Sequence, residues 1–167
     1  VFISSCQSPM NYPVPYSNGP IQIKGGKQNL NNHNYTMNYG TLLASFYSEK
    51  AEVLICRNIL IFDNIAASLV GFRYSTEQSN VQRGNIINNS ALHGIFRLDE
   101  SKIVATEYIF LKNDANLTTT MYPSMECGIL FDHCVFDRPK VRKGMAKCLF
   151  ENCRFNKTNR TPFPMQM

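Results

Sequence analysis

Two stretches of the chain, LFDHCVFDRPK at 130–140 and LFENCRFNKTN at 149–159, repeat one another nineteen residues apart. Leu130, Phe131, Cys134 and Phe136 return as Leu149, Phe150, Cys153 and Phe155, and the acidic Asp132 returns as Glu151. A unit this short cannot bury its apolar side chains alone, so it commits the chain to an architecture in which copies stack. Looser copies lie upstream in ICRNILIFDN, VQRGNIINN and VATEYIFLKND. With Ile61, Ile86, Phe110, Phe136 and Phe155 as markers, the five copies follow at steps of 25, 24, 26 and 19 residues. Such uneven steps argue against a helical repeat, whose packing tolerates few insertions.

Within each copy an apolar residue is followed by two variable ones, then by two apolar residues separated by a single variable one. The last three positions alternate as a strand does. The preceding pair breaks the alternation, so both flanking residues face inward only if the chain turns a corner there. Asn58, Arg83, Glu107, His133 and Asn152 occupy the slot before the second inward residue. A two-residue corner commonly needs one left-handed residue, which Asn tolerates best among non-glycines. Asn64, Asn89 and Asn113 recur three residues after the first three markers, where strands are expected to give way to loops. Short segments beginning at Gly40, Gly71, Gly94, Gly128 and Gly144 supply one further strand per copy.

These features predict an all-β fold, a right-handed parallel β-helix (solenoid) of about five turns with an irregular N-terminal cap. Expected boundaries are 1–39 for a cap or linker segment, 40–158 for the parallel β-helix and 159–167 for a C-terminal tail. Like residues stack, which puts Phe136 over Phe155 and Cys134 over Cys153. The chain does not begin with Met, which is expected of a processed product or an excerpt of a longer protein. No run approaches the roughly 18 apolar residues of a membrane-spanning helix.

Asn-Cys-Arg-Phe at 152–155 resembles the turns of right-handed parallel β-helix repeat proteins. Phe-Leu-Lys-Asn at 110–113 is similar to the Phe-x-x-Asn repeats of protist surface β-helix proteins and of the chlamydial polymorphic outer-membrane proteins. The companion Gly-Gly-Ala-Ile motif of the latter group is absent. The resemblance covers about residues 40–158 and implies the fold; such folds serve both as adhesive stalks and as polysaccharide-cutting enzymes.

Charge is uneven. From Arg138 onward eight basic residues face the single acid Glu151, a local balance of +7 within a chain of net +5. Arg138, Lys140, Arg142, Lys143, Lys147, Arg154 and Lys157 therefore form the expected basic partner-binding surface, suited to an acidic protein or an anionic glycan. Nucleic acid fits less well, because the repeat places Phe150 and Phe155 in the core and removes them as a stacking platform.

Six cysteines (6, 56, 127, 134, 148, 153) raise metal and disulfide readings. Cys127, Cys134, Cys148 and Cys153 with His133 are the potential zinc ligands, but no Cys-x-x-Cys knuckle occurs among them. Cys134 and Cys153 occupy slots filled elsewhere by Ile59, Gly84 and Tyr108, which makes them small core residues; Cys127 with Cys148 is a candidate disulfide. Neither a metal nor another cofactor is called for. Asp132 beside Glu151, with His133 near, is the carboxylate pair a polysaccharide hydrolase or lyase would need, yet acids at solvated corners are common. No catalytic residue is assigned.

Acceptor sequences for N-linked glycans occur at Asn34, Asn88, Asn116, Asn156 and Asn159, with Asn116 expected in a long loop. They favour an extracellular or cell-surface location over a cytoskeletal or ciliary assembly. The expected function is that of a non-enzymatic structural or adhesive module presenting a rigid surface to a glycan or protein partner, within a larger chain or assembly. The alternative is a β-helical polysaccharide lyase or hydrolase.

Overall fold

The computed structural model describes residues 2–4, 21–39, 45–75, 79–121, 127–137 and 147–156. Fifteen strands are present among them: β1 (Phe2–Ser4), β2 (Ile21–Lys24), β3 (Lys27–Asn31), β4 (Asn34–Thr36), β5 (Phe46–Glu49), β6 (Val53–Phe62), β7 (Ile65–Arg73), β8 (Asn80–Ile87), β9 (Ser90–Asp99), β10 (Lys102–Leu111), β11 (Asp114–Met121), β12 (Gly128–Asp132), β13 (Val135–Phe136), β14 (Lys147–Glu151) and β15 (Arg154–Phe155). Every strand pairing is parallel and joins one turn to the next. The fold is an all-β parallel β-solenoid of about four turns.

Each turn has three legs. The first two belong to one ten-stranded sheet bent along its length, through which β6, β8 and β10 run unbroken; the third leg supplies the five-stranded sheet β11-β9-β7-β5-β2. At the bend stand Asn32, Asn58, Arg83, Glu107, His133 and Asn152, all with positive φ between 51° and 59°. The five residues expected to be left-handed are so, and Asn32 extends their column upward. A left-handed residue reverses the side-chain alternation without breaking the hydrogen-bond ladder, so the chain bends while apolar residues on both sides still face inward.

The second corner works differently. Met37, Asp63, Asn88 and Lys112 take the positive φ there, and each is followed by a buried asparagine: Asn38, Asn64, Asn89 and Asn113. The asparagines are not loop residues, as expected from their spacing, but a ladder. The Asn38 N–H donates to Asn64 Oδ1 at 2.8 Å, the Asn64 N–H to Asn89 Oδ1 at 2.9 Å and the Asn89 N–H to Asn113 Oδ1 at 3.1 Å. Each side-chain amide of Asn64 and Asn89 also donates to the next Oδ1 at 3.0 Å and to backbone carbonyls of its own and the preceding turn. A corner leaves backbone groups without strand partners, and the ladder satisfies them inside the core.

Register confirms the markers as one column, buried from Tyr35 to Phe136; Phe155, on the last described turn, is 41% exposed and not in the core as expected, and Phe150 is half-buried. Tyr35, Ile61, Ile86, Phe110, Phe136 and Phe155 are successive partners. The Phe110 and Phe136 rings stack at 4.5 Å and 1°, and Phe136 lies over Phe155 at 5.7 Å and 17°. Cys56, Val81, Ala105, Phe131 and Phe150 form the first-leg column, as aligned from the sequence.

One boundary and one strand alignment differ from expectation. Residues 21–36 are not an irregular cap: β2, β3 and β4 form a turn in register with β5 and β6, so the solenoid extends upstream of residue 40. The glycine-led segments also do not share one column. Gly71 and Gly94 lie on the third leg, where Gly71 opposes Arg97 and Gly94 opposes Ser68, whereas Gly128 opens a first leg opposite Lys102. Residues 157–167, which include the expected tail, lie outside the described residues, as do Gly40 and Gly144.

Candidate functional site

Apart from Asn85, the second leg of β6, β8 and β10 is apolar on both faces. Inward residues alternate with an outward set in which Phe62, Ile87 and Leu111 stand in register, with Leu60, Asn85, Ile109 and Val135 as the adjoining row. Phe62 is 39% exposed and Ile109 37%, while Met37 at 55% and Ile65 at 52% flank the second corner beside them. The Met37 N–H donates to the Phe62 carbonyl, which ties this rim to the strand. Rigid strands thus hold aliphatic and aromatic side chains on an outer face at the inter-strand spacing, about 4.8 Å. The sequence held a sign of this face: ILIF at 59–62 and YIFL at 108–111 are apolar at every position, which the inward alternation alone does not require.

The first corner carries the acids. Asp132 and Glu151 are register partners, as the repeat implied. Their surroundings are those of a solvated edge. Asn152 Nδ2 donates to Asp132 Oδ1 at 2.9 Å, and His133 Nδ1 lies 2.7 Å from the same oxygen. These hydrogen bonds, that from Asn152 foremost, hold the Asp132 carboxyl below the ordinary carboxylate range. A general acid for glycosidic cleavage needs the opposite shift. Asp132 is built here to stay ionised.

The third leg bears a ladder of alternating sign on its outer side. Lys24, Glu49, Arg73 and Asp99 are successive partners, with Lys24 Nζ 3.8 Å from Glu49 and Arg73 Nε 3.1 Å from Asp99. Arg73 also lies over the Tyr74 ring at 4.8 Å. Opposite charges directly across parallel strands favour this register over a slipped one, so the ladder reads as a structural device.

Of the expected basic surface, Lys147 begins β14 and Arg154 is exposed at the start of β15. Arg138, Lys140, Arg142, Lys143 and Lys157 lie outside the described residues. Among the glycan acceptors Asn88 and Asn156 are exposed and Asn34 is half-buried in β4. Asn116 lies within β11 and not in a long loop, at the register shift opposite Leu92 and His93. Asn159 lies outside the described residues.

The cysteines divide by column. Cys134 and Cys153 follow the first-corner residues His133 and Asn152; Cys134 is buried and Cys153 half-buried. Cys127 is buried just before Gly128, and Cys148 opposes Ile129. The candidate Cys127–Cys148 disulfide is not formed in this structure. Among the described residues no three His, Cys, Asp or Glu side chains converge to hold a metal ion.

Comparison with known proteins finds no family model, no curated protein and no solved structure that matches this chain.

Proposed function

We propose that this chain is a non-enzymatic structural or adhesive module whose solenoid presents a rigid outer face to a partner, with a protein favoured over a glycan. The observation that carries the reading is the outward apolar row Phe62–Ile87–Leu111 and its neighbours Ile109, Met37 and Ile65: Phe62, Ile109, Met37 and Ile65 are exposed, and Ile87 and Leu111 are half-buried. Contiguous exposed apolar surface marks interaction sites in folded proteins. A flat array fixed by strand pairing binds without losing conformational entropy in the backbone. The basic segment from Arg138 onward adds attraction for an acidic partner, and the Phe-Leu-Lys-Asn repeat supports kinship with the surface β-helix repeat proteins of parasitic protists and with polymorphic outer-membrane-type proteins. The acceptor asparagines support an extracellular or cell-surface setting.

The reading is tested with the chain immobilised and offered, separately, purified cell-surface proteins and a panel of neutral and anionic glycans. Retention of a protein is expected, lost about tenfold or more in Phe62→Lys with Ile109→Lys, at unchanged circular dichroism. Retention that ignores those substitutions removes the apolar face from the proposal. The competing enzymatic reading is served by Asp132→Asn with Glu151→Gln: cleavage of an acidic polysaccharide that disappears in this double variant would replace the binding module with a hydrolase or lyase.

A further inference from the structure

Cys134 and Cys153 sit at the same position of two adjacent turns. The flanking register fixes this: Asp132 opposes Glu151 before them and Val135 opposes Arg154 after them. The Arg154 N–H donates to the Cys134 carbonyl at 2.8 Å, which closes the ladder across the pair. Parallel partners stand about 4.8 Å apart between Cα atoms, within the roughly 4.4–6.8 Å range of disulfide-linked cysteines.

The thiols are aimed along the solenoid axis. Cys134 Sγ accepts the Tyr108 N–H at 3.4 Å and lies 3.4 Å from the Ala105 carbonyl; Cys153 Sγ lies 3.3 Å from the Phe131 carbonyl. Cys153 Sγ thus reaches back onto the turn that holds Cys134, as Cys134 Sγ reaches back onto the turn that holds Tyr108. Sulfur here does at the first corner what the asparagine amide does at the second. It also puts two oxidisable groups at neighbouring positions of adjacent turns, whereas Cys56, Cys127 and Cys148 occupy other columns.

We propose that Cys134 and Cys153 are a disulfide site, oxidised by a small-molecule disulfide of the glutathione class to staple the last two described turns together. Cys153 reacts first, because it is half-buried and Cys134 is fully buried. Its thiolate attacks one sulfur of the small disulfide, whose S–S bond breaks and releases one small thiol. The Cys134 thiolate then attacks the Cys153 sulfur of the mixed disulfide and expels the second small thiol. One protein S–S bond forms, the oxidant takes up two electrons, and the two protein protons end on the two small thiols.

Burial pushes both thiols up, Cys134 to about 12. Few thiolates are present near neutral pH, so the pair is not a fast redox sensor. It is a structural bond for a chain that dwells in an oxidising compartment.

The experiment uses the natural sequence. Reduced protein is incubated under native conditions at alkaline pH with oxidised glutathione, quenched with acid, alkylated and mapped by mass spectrometry without reduction. The expected result is a linked Cys134–Cys153 peptide pair that has lost two hydrogen masses, with a thermal midpoint raised by roughly 5–10 °C over the reduced form. In Cys134→Ser the reaction is expected to stop at a glutathione adduct on Cys153, with no thermal gain. A lasting adduct on Cys153 in the natural sequence overturns the proposal, and so does a linkage through Cys127 or Cys148. The natural-sequence map decides the matter even if the serine variant does not fold.

Discussion

The ring of Tyr108 lies in the space a side chain at Gly84 would occupy: a methyl group built on Gly84 would overlap the Tyr108 ring. The two are register partners in β8 and β10, so the smallest residue of the second-leg column stands beneath the largest. Gly84→Ala forces a fully buried tyrosine to move within a close-packed core. The expected cost is about 1–3 kcal/mol, read as a lower urea midpoint at unchanged slope. An unaltered midpoint would show that the ring relocates freely.

Asn89 is an inner rung of the asparagine ladder. Its Oδ1 accepts the Asn64 N–H and amide, and its Nδ2 donates to the Ile61 and Ile87 carbonyls. Asn89→Ala leaves several buried groups without partners, each costing about 1–3 kcal/mol. Asn89→Asp keeps the acceptor but buries a charge and is expected to be at least as damaging. Equilibrium denaturation of both variants checks the order; a well-folded alanine variant would mean that water replaces the amide.

The depressed Asp132 carboxyl has a pH signature. Because its folded pKa lies below the unfolded value, the stabilisation it brings is present above the unfolded pKa and is lost as pH falls through the folded one. A carbon-detected NMR titration is expected to place the midpoint of Asp132 below that of an unperturbed aspartate. Asn152→Ala is expected to raise it, by removing the principal hydrogen bond. A midpoint that does not respond to Asn152→Ala would assign the shift to His133.

The basic segment makes a salt-dependent prediction. Arg142→Glu with Lys143→Glu is expected to slow association with an acidic partner, more at low than at high ionic strength. Surface plasmon resonance at two salt concentrations checks it; equal binding by variant and natural chain would dismiss electrostatic docking at this end.

Much of the coil was legible because a solenoid writes its tertiary contacts into a local pattern. Two apolar residues flanking a variable pair imply a corner, and the corner implies a left-handed residue; Asn58, Arg83, Glu107, His133 and Asn152 all take that conformation, although only Asn is suited to it by preference. The first turn was missed because Leu30 and Tyr35 are its only strongly apolar inward side chains in β3 and β4, with Gln28 and Thr36 in the remaining buried places. The outward row of Phe62, Ile87 and Leu111 was missed because an apolar run reads as core whether or not a second layer covers it.

The sequence alone determined the period, the first corner and the vertical pairing of Phe136 with Phe155, since each follows from side-chain alternation along the chain. The same pattern placed Cys134 over Cys153. Only the tertiary structure decided that Asn64, Asn89 and Asn113 point inward as one hydrogen-bonded column and that Gly84 makes room for Tyr108. The physical reason is that polarity fixes what a residue is willing to face, whereas the neighbour it meets one turn away depends on how many residues each loop inserts between the turns.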